Sequence, residues 1–204
     1  MTAFMTILLG LAYPLGMTAI SGALFPRQAG GSLIERNGVV IGSALIGQSF
    51  DAPQYLWPRP SASGYDAANS AASNLAPTAG ALVDAVRARA ASFEAASGTK
   101  PPIDLVTASA SGLDPHVSPE GAFVQAARIA SARGVAAADV RALLRSRVEG
   151  RALGFIGEPV VNVLLANLAL DDAFPMPADP AHAPTAGPAT GPAAAGPDAA
   201  GSDG

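Results

Sequence analysis

The sequence contains no cysteine, so this chain can form neither a disulfide framework nor a thiolate metal site. Histidine is almost as scarce, because the only imidazoles are His116 and His182, and these two do not make the ligand cluster that a metal centre needs. A glycine-rich phosphate loop of the G-x-x-x-x-G-K type is also missing. We therefore expect no catalytic, cofactor-binding or metal site in this chain.

Charged residues are few as well. They make up 14% of the chain against 50% hydrophobic residues, a low share for a wholly soluble protein, which indicates that some apolar side chains face lipid. The formal net charge is -4, and most arginines stand singly along predicted helices. They do not form the basic stripe that is needed to neutralise the phosphates of a nucleic acid. Nucleic acid is therefore not expected as a partner, whereas membrane lipid is.

The longest uncharged stretch runs from Thr2 to Pro26 and is long enough to cross a hydrocarbon core of about 30 Å. It predicts one transmembrane helix over residues 1–26. Pro14 lies in its middle and removes a backbone hydrogen bond, so we expect a kink near Tyr13.

One face of this predicted helix carries only small side chains. Ala12, Gly16, Ala19 and Ala23 follow each other at helical spacing, and small residues let two helices in lipid approach closely. We interpret these four positions as a candidate subunit contact.

A cleaved signal peptide is the competing interpretation, since Ser21 and Ala23 have the spacing of a cleavage site. The lack of Lys or Arg in residues 1–8 and the length of the apolar run favour a retained helix. Arg27 and Arg36 follow the span, and the positive-inside rule alone would place the rest of the chain in the cytoplasm.

The remaining pattern predicts an α+β domain over residues 27–173 and a disordered Ala/Pro/Gly-rich tail over residues 174–204. The predicted elements are a hairpin over 32–46 turning at Asn37-Gly38, an ordered loop over 48–77, and helices over 78–97, 118–134, 137–149 and 160–170. A buried strand remains an alternative for the last of these segments.

The segment 109–116 holds serines, Asp114 and His116 on one loop, as a hydrolase triad would. Three such groups on one short loop rarely reach triad geometry, so a turn capped by Asp114, with His116 packed nearby, is the favoured interpretation. Arg59 stands beside Trp57 between two prolines, and its guanidinium either meets a partner's carboxylate or stacks on that ring. Trp57, Arg59, Asp114 and His116 complete the candidate subunit contacts.

Several segments, in this order along the chain, also match a known family. They are Tyr13-Pro14, Phe25-Pro26, Gly31-Ser32-Leu33, Leu45 to Phe50, Trp57 to Ala62, Ser73-Asn74-Leu75, Asp104 to Ser109, Ser111 to His116, Ser118-Pro119-Glu120, Gly150-Arg151, Gly154-Phe155, Gly157-Glu158-Pro159 and Val161 to Leu164. From near its start to about Asp171 the chain resembles KdpC, the C chain of the Kdp potassium-transporting P-type ATPases. Ala72, Ala76 and Ala110 depart from that pattern, which usually has glycine there.

The resemblance implies an accessory, non-catalytic subunit of an ATP-driven, high-affinity potassium uptake complex in the bacterial inner membrane. It implies a potassium-channel-like chain, a P-type ATPase chain and a small single-span chain as partners, with ATP and K⁺ handled by the complex. In such complexes the C chain stabilises assembly and acts as a catalytic chaperone that raises the ATP affinity of the pump chain, with its domain outside the cytoplasm. The alternative is a membrane-anchored or secreted domain that acts alone, as a hydrolase using Ser111 and His116 or as a binding module.

Overall fold

The computed structural model describes residues 1–176 and begins with a long apolar helix that leads into a mixed α+β domain. This helix spans Thr2–Leu24, which is long and apolar enough to cross a membrane. It consists of α1 (Thr2–Ile7), a π-helical segment (Leu8–Ala12) and α2 (Tyr13–Leu24). The predicted tail from residue 177 onward lies outside the described residues.

A short helix and the predicted hairpin connect the long helix to the domain. Their bounds are α3 (Pro26–Ala29), β1 (Leu33–Arg36) and β2 (Val39–Ser43). Asn37 and Gly38 both have positive φ, 54° and 76°, as a two-residue type I′ turn requires. The hairpin prediction is confirmed.

The segment between β2 and the next helix contains no helix or strand and is pinned by side chains, as expected of an ordered loop. The Leu56 side chain is fully buried, and the Asn167 side chain bonds both the N–H (2.7 Å) and the C=O (3.0 Å) of Leu56. This one amide thus replaces the two hydrogen bonds that a strand would have given Leu56.

The next helix, α4 (Gly80–Ser97), ends as predicted at Gly98, which has the left-handed φ of 68°. Phe93 is its only buried residue. A 3₁₀ turn over Ile103–Leu105 and the two-residue strand β3 (His116–Val117) follow.

The predicted helix over 118–134 is divided in two, α5 (Pro119–Val124) and α6 (Ala126–Arg133). Its start is confirmed, because Ser118 Oγ accepts from the Gly121 N–H at 2.9 Å. The division occurs at Gln125, whose side-chain amide donates to the Gly121 carbonyl that the Gln125 backbone N–H would have bonded in a continuous helix. Gly134 ends α6 with a φ of 67°.

Two sequence predictions near the end of the chain need correction. The helix expected over 137–149 ends earlier, as α7 (Ala137–Ser146), because Val148 enters β4 (Val148–Glu149) and pairs with Val161. The helix expected over 160–170 begins only with α8 (Val163–Ala173), after β5 (Val160–Asn162). Two β-branched valines start this segment as the central strand, and the Asn162 side chain then caps α8 by accepting from the Leu165 N–H at 3.1 Å.

The core lies where helices α5 to α8 pack on the antiparallel sheet of order β3-β5-β4. Its buried members are Leu56, Phe93, Leu105, Val117, Ala122, Ala126, Ile129, Ala130, Val140, Leu144, Val161, Val163, Ala166 and Leu170. All of them come from the domain and none from the long apolar helix. The domain therefore builds its core without the predicted transmembrane segment.

Candidate functional site

The apolar helix makes almost no contact with its own domain. Its residues are exposed from end to end, apart from Ser21, which is partly covered. A Cβ placed at Gly16 would meet no atom within 4 Å. The face formed by Ala12, Gly16, Ala19 and Ala23 is therefore open to another helix.

Where the sequence predicts a kink near Tyr13, the structure has a π-helical segment, Leu8–Ala12, directly before that residue. The Tyr13 N–H donates to the Leu8 carbonyl, one residue further back than in an α-helix. Within α2 the Thr18 hydroxyl donates to the Pro14 carbonyl at 2.9 Å. The Tyr13 N–H and the Thr18 hydroxyl are thus both paired within the helix, as polar groups of a span in lipid need to be.

A second group of candidate residues meets on the loop before β3. Arg59 and Asp114 form an ion pair with 2.9 Å between Nη1 and Oδ2. The other carboxylate oxygen of Asp114 accepts from the His116 backbone N–H at 3.0 Å and lies 3.5 Å from Nδ1 of His116. Both side chains of the ion pair are about one quarter exposed.

These contacts stabilise the charged form of Asp114. Partial burial acts to raise the pKa of Asp114, but hydrogen bonds from His116 and then from Arg59 outweigh it, so the pKa is lowered below its ordinary value. Asp114 is therefore an acceptor that stays ionised at neutral pH. Its role in the fold is to join the loop of Arg59 to the strand of His116.

The loop that contains Leu113 and Asp114 also contacts the segment that follows the hairpin. Gly47 donates to the Leu113 carbonyl at 2.8 Å, and a Cβ at Gly47 would lie only 2.6 Å from the Asp114 carbonyl oxygen. Only glycine allows this approach. Beside it lies an open groove of about 450 Å³. The groove is lined by Leu45, Ile46, Arg59, Ser109, Ala110, Ser111, Leu113, Asp114 and Pro115.

Ser111, the serine of the hydrolase alternative, takes part in the turn that precedes β3. Ser111 Oγ accepts from the Leu113 N–H at 3.1 Å, and Gly112 has a left-handed φ of 70°. Across the described part of the chain no hydrogen bond links Ser111 to His116. The geometry therefore matches the capped turn that the sequence favours, with Asp114 as the capping carboxylate.

Trp57 does not stack on Arg59, and that alternative is wrong. The cation over its ring is Arg128, 3.7 Å from the ring centroid, while Phe93 meets the ring edge-on. Trp57 also exchanges backbone hydrogen bonds with the Gln125 side chain, at 2.9 and 3.2 Å. Arg59 pairs instead with Asp114, at 2.9 Å.

Sequence reasoning missed the polar side chains that hold the long loop. Arg128 donates to the carbonyls of Pro53 (2.6 Å) and Tyr55 (3.1 Å), and burial lowers its pKa to about 10. The fully buried Arg133 side chain reaches the Gln54 carbonyl and Asp171. A usable signal was present, because a loop without secondary structure needs donors for its carbonyls and the nearby helix supplies two arginines.

The two groups of candidate residues thus remain apart. Ala12, Gly16, Ala19 and Ala23 lie on the free helix, whereas Arg59, Asp114 and His116 meet within the domain and Trp57 lies beside its core. The four positions on the helix are exposed, so they are not packed against the candidate residues of the domain. Any contact with another chain would therefore use separate surfaces.

Comparison with known proteins decides the family. The family described as K⁺-transporting ATPase, c chain, matches residues 1–172, which include both the helix and the domain. The chain belongs to the KdpC family. A Potassium-transporting ATPase KdpC subunit of Cereibacter sphaeroides is 56% identical over 169 residues, covering 83% of this chain and 91% of that protein.

Other KdpC relatives are as similar. A Potassium-transporting ATPase KdpC subunit of Sorangium cellulosum is 55% identical over 175 residues, covering 83% of this chain and 92% of that protein. One of Burkholderia mallei is 56% identical over 170 residues, covering 80% and 88%. The alanines that depart from the KdpC pattern, Ala72, Ala76 and Ala110, do not occupy positive-φ positions, so they impose no backbone strain.

Proposed function

We propose that this chain is the non-catalytic accessory subunit of an ATP-driven potassium uptake complex in a bacterial inner membrane, where it stabilises assembly and raises the ATP affinity of the pump chain. The observation that carries the proposal is the membrane-length helix, whose small-residue face is left uncovered by its own domain. Helices in lipid gain little from the hydrophobic effect and associate where small residues let their backbones approach. A face of this kind suits a partner helix.

The partners we propose are a potassium-channel-like chain, a P-type ATPase chain and a small single-span chain. The name of the relatives, Potassium-transporting ATPase KdpC subunit, supports a complex of this kind. ATP and K⁺ would then be bound by those other chains. Ser111 and Asp114 accept hydrogen bonds from backbone N–H groups of a turn, and this structural use favours an accessory role for the chain over a hydrolase role.

We place the domain on the extracytoplasmic side, as the family resemblance implies. The positive-inside rule, applied to Arg27 and Arg36 alone, would place it in the cytoplasm. A domain there cannot touch cytoplasmic ATP, so any effect on ATP affinity must pass through helix contacts. Because the chain has no cysteine, Ala96→Cys on the exposed side of α4 reports the side directly. Labelling of intact cells by an impermeant maleimide is expected, and labelling only after lysis would contradict this placement.

Gly16→Leu tests the docking face. The larger side chain should hold a partner helix away, so that the complex purified from membranes contains this chain at well below its normal ratio to the pump chain. Complex that does assemble should need about 5-fold more ATP for half-saturation, the lower end of typical coupling between sites.

Gly10→Leu is the matched control, since Gly10 is also unobstructed and, two residues before Ala12, lies about half a turn away from the small-residue face. It should leave both the subunit ratio and the ATP dependence unchanged. Normal stoichiometry and normal ATP dependence for Gly16→Leu would reject the docking face and, with it, the proposed route to the pump chain.

A further inference from the structure

The hairpin of β1 and β2 presents apolar side chains that the described part of the chain leaves uncovered. Leu33 is 51% exposed, Val40 42% and Val39, next to the turn, 59%. Leu33 and Val40 lie on one side of the hairpin as diagonal neighbours, because Glu35 shares the side of Leu33 on β1 and pairs with Val40 on β2. We name Leu33, Val39 and Val40 the hairpin patch.

The hairpin is fixed to the domain by other groups. Arg36 alternates with Glu35 along β1, so its side chain leaves the hairpin on the opposite side, and it pairs with Asp172 of α8 at 2.7 Å. The Asn162 side chain donates to the Ala44 carbonyl, just after β2, at 2.8 Å. Turning the hairpin patch inward would break these contacts, so the domain does not bury it.

Stability of the hairpin gives the patch a reason to be covered. The two strands pair only with each other within the described residues, and a two-stranded hairpin alone in water is marginally stable. Strand propensity accounts for the two valines, but not for Leu33. Removing all three side chains from water is favourable, and that burial has to come from outside the described residues.

The hairpin patch begins directly beside the end of the apolar helix. That helix ends at Leu24, and α3 follows at once. The Ser32 N–H donates back to the carbonyl of Arg27, at 2.9 Å, and Arg27 is at most about 10 Å of chain beyond Leu24. The headgroup layer on each side of a bilayer is about 5–7 Å thick. A span that ends at Leu24 therefore brings Leu33, the residue after Ser32, to the membrane surface.

Apolar burial, not charge, is the basis of this contact. From Phe25 to Ile46 the charged residues are two arginines and one glutamate, a net charge of +1, and Arg36 is already paired with Asp172. Attraction to anionic lipid needs clusters of positive charge. The contact should therefore form on a zwitterionic lipid surface as well.

We propose that the hairpin lies on the membrane surface beside the apolar helix, with Leu33, Val39 and Val40 inserted among the lipid headgroups and the upper acyl chains. Through Arg36 this contact would also hold the end of α8 at a fixed level above the bilayer. The inference rests on the part of the proposed function that places the helix in lipid. It needs no other protein chain.

Quenching by spin-labelled lipid tests the contact on the full chain in phosphatidylcholine vesicles. Because the chain has no cysteine, a fluorophore can be attached at one position at a time. Val40→Cys reports on the patch, Met17→Cys on the helix, and Val83→Cys is the control, since Val83 of α4 is 39% exposed, close to the value for Val40. Labels at 17 and 40 should be quenched about tenfold more than the label at 83, the ratio for burying one aliphatic side chain.

The double variant Leu33→Thr, Val39→Thr separates lipid insertion from folding. Threonine suits a strand but is polar, so the melting temperature of the full chain should stay the same while quenching at position 40 falls about tenfold. In the assembled complex the label at position 40 should be quenched as it is in vesicles.

Quenching at position 17 without quenching at position 40 would overturn the membrane contact of the hairpin alone. The same conclusion would follow if the two threonines left quenching unchanged, or if another protein chain shielded position 40 from lipid in the complex. Absence of quenching at position 17 would instead show that the helix is not in lipid, and would overturn the proposed function together with this inference.

Discussion

At the scale of single residues, the domain is held by polar side chains that each serve several backbone segments. Asn167, Gln125, Arg128 and Arg133 bond the loop around Leu56, and Asp114 joins the Arg59 loop to β3. Asp114 could be predicted from the sequence because capping is local, two residues along the chain. For the other four, the need of the loop for donors could be foreseen but not which group each side chain would bond, because their partners lie far away in sequence and only the packed fold brings them together.

Asp114→Asn should lower the free energy of unfolding by about 1.5 kcal/mol at neutral pH, the lower end of the range for hydrogen bonds to charged groups, because the ion pair is partly exposed. Because the folded-state pKa of Asp114 is lowered, the charged form stabilises the fold above the ordinary carboxyl pKa of about 3.9. That contribution is lost as the pH falls through the folded-state pKa. The stabilities of wild type and variant should therefore begin to converge below about pH 4 and meet below the folded-state pKa of Asp114.

Urea unfolding of the full chain in detergent, at neutral and acid pH, measures this difference. Asp84→Asn is the control, since Asp84 is 79% exposed and its nearest cation, Arg87, is 3.8 Å away. Its stability should match that of wild type throughout. A gap for Asp114→Asn that persists undiminished at pH 3 would contradict the role given to the carboxylate.

At the scale of elements, start and stop signals were more reliable than periodicity. The Asn37-Gly38 turn, the Ser118 cap and the glycine ends at Gly98 and Gly134 were predicted correctly because each depends on neighbouring residues only. The boundary at Asn162 was missed because a run of apolar residues looks alike in a buried strand and a buried helix. Pairing of Val161 with both Val117 and Val148 is a long-range fact that the run itself does not encode.

Phe93 is the one buried residue of α4, so Phe93→Ala should loosen the packing of this helix even though Arg89 still bonds the Val106 carbonyl at 3.1 Å. Removing the only buried side chain of α4 takes away its edge contact with Trp57 and should cost about 3 kcal/mol. Backbone amides of residues 80–97 are expected to exchange faster with solvent, measured by hydrogen exchange and mass spectrometry. Phe155→Ala, at an exposed site, should not alter their exchange, and unchanged protection in Phe93→Ala would show that other contacts hold the helix.

At the scale of the whole molecule, the chain is a self-contained domain on an apolar helix that its own residues do not cover. Family membership covers both parts, because the match runs from residue 1 to residue 172. The division into helix and domain could be predicted from charge alone, since the uncharged stretch is so long. The surfaces that meet other chains could not, because complementarity belongs to two molecules and only one sequence is at hand.

The most direct measurement of this account is native mass spectrometry of the chain extracted from membranes with its carboxyl terminus tagged. We expect a mass that retains residues 1–23 and a particle in which the chain is held together with other membrane proteins. A soluble, solitary chain that begins at Leu24, after the Ser21 and Ala23 pair, would contradict the claim that the helix stays in lipid and joins this domain to a transport complex.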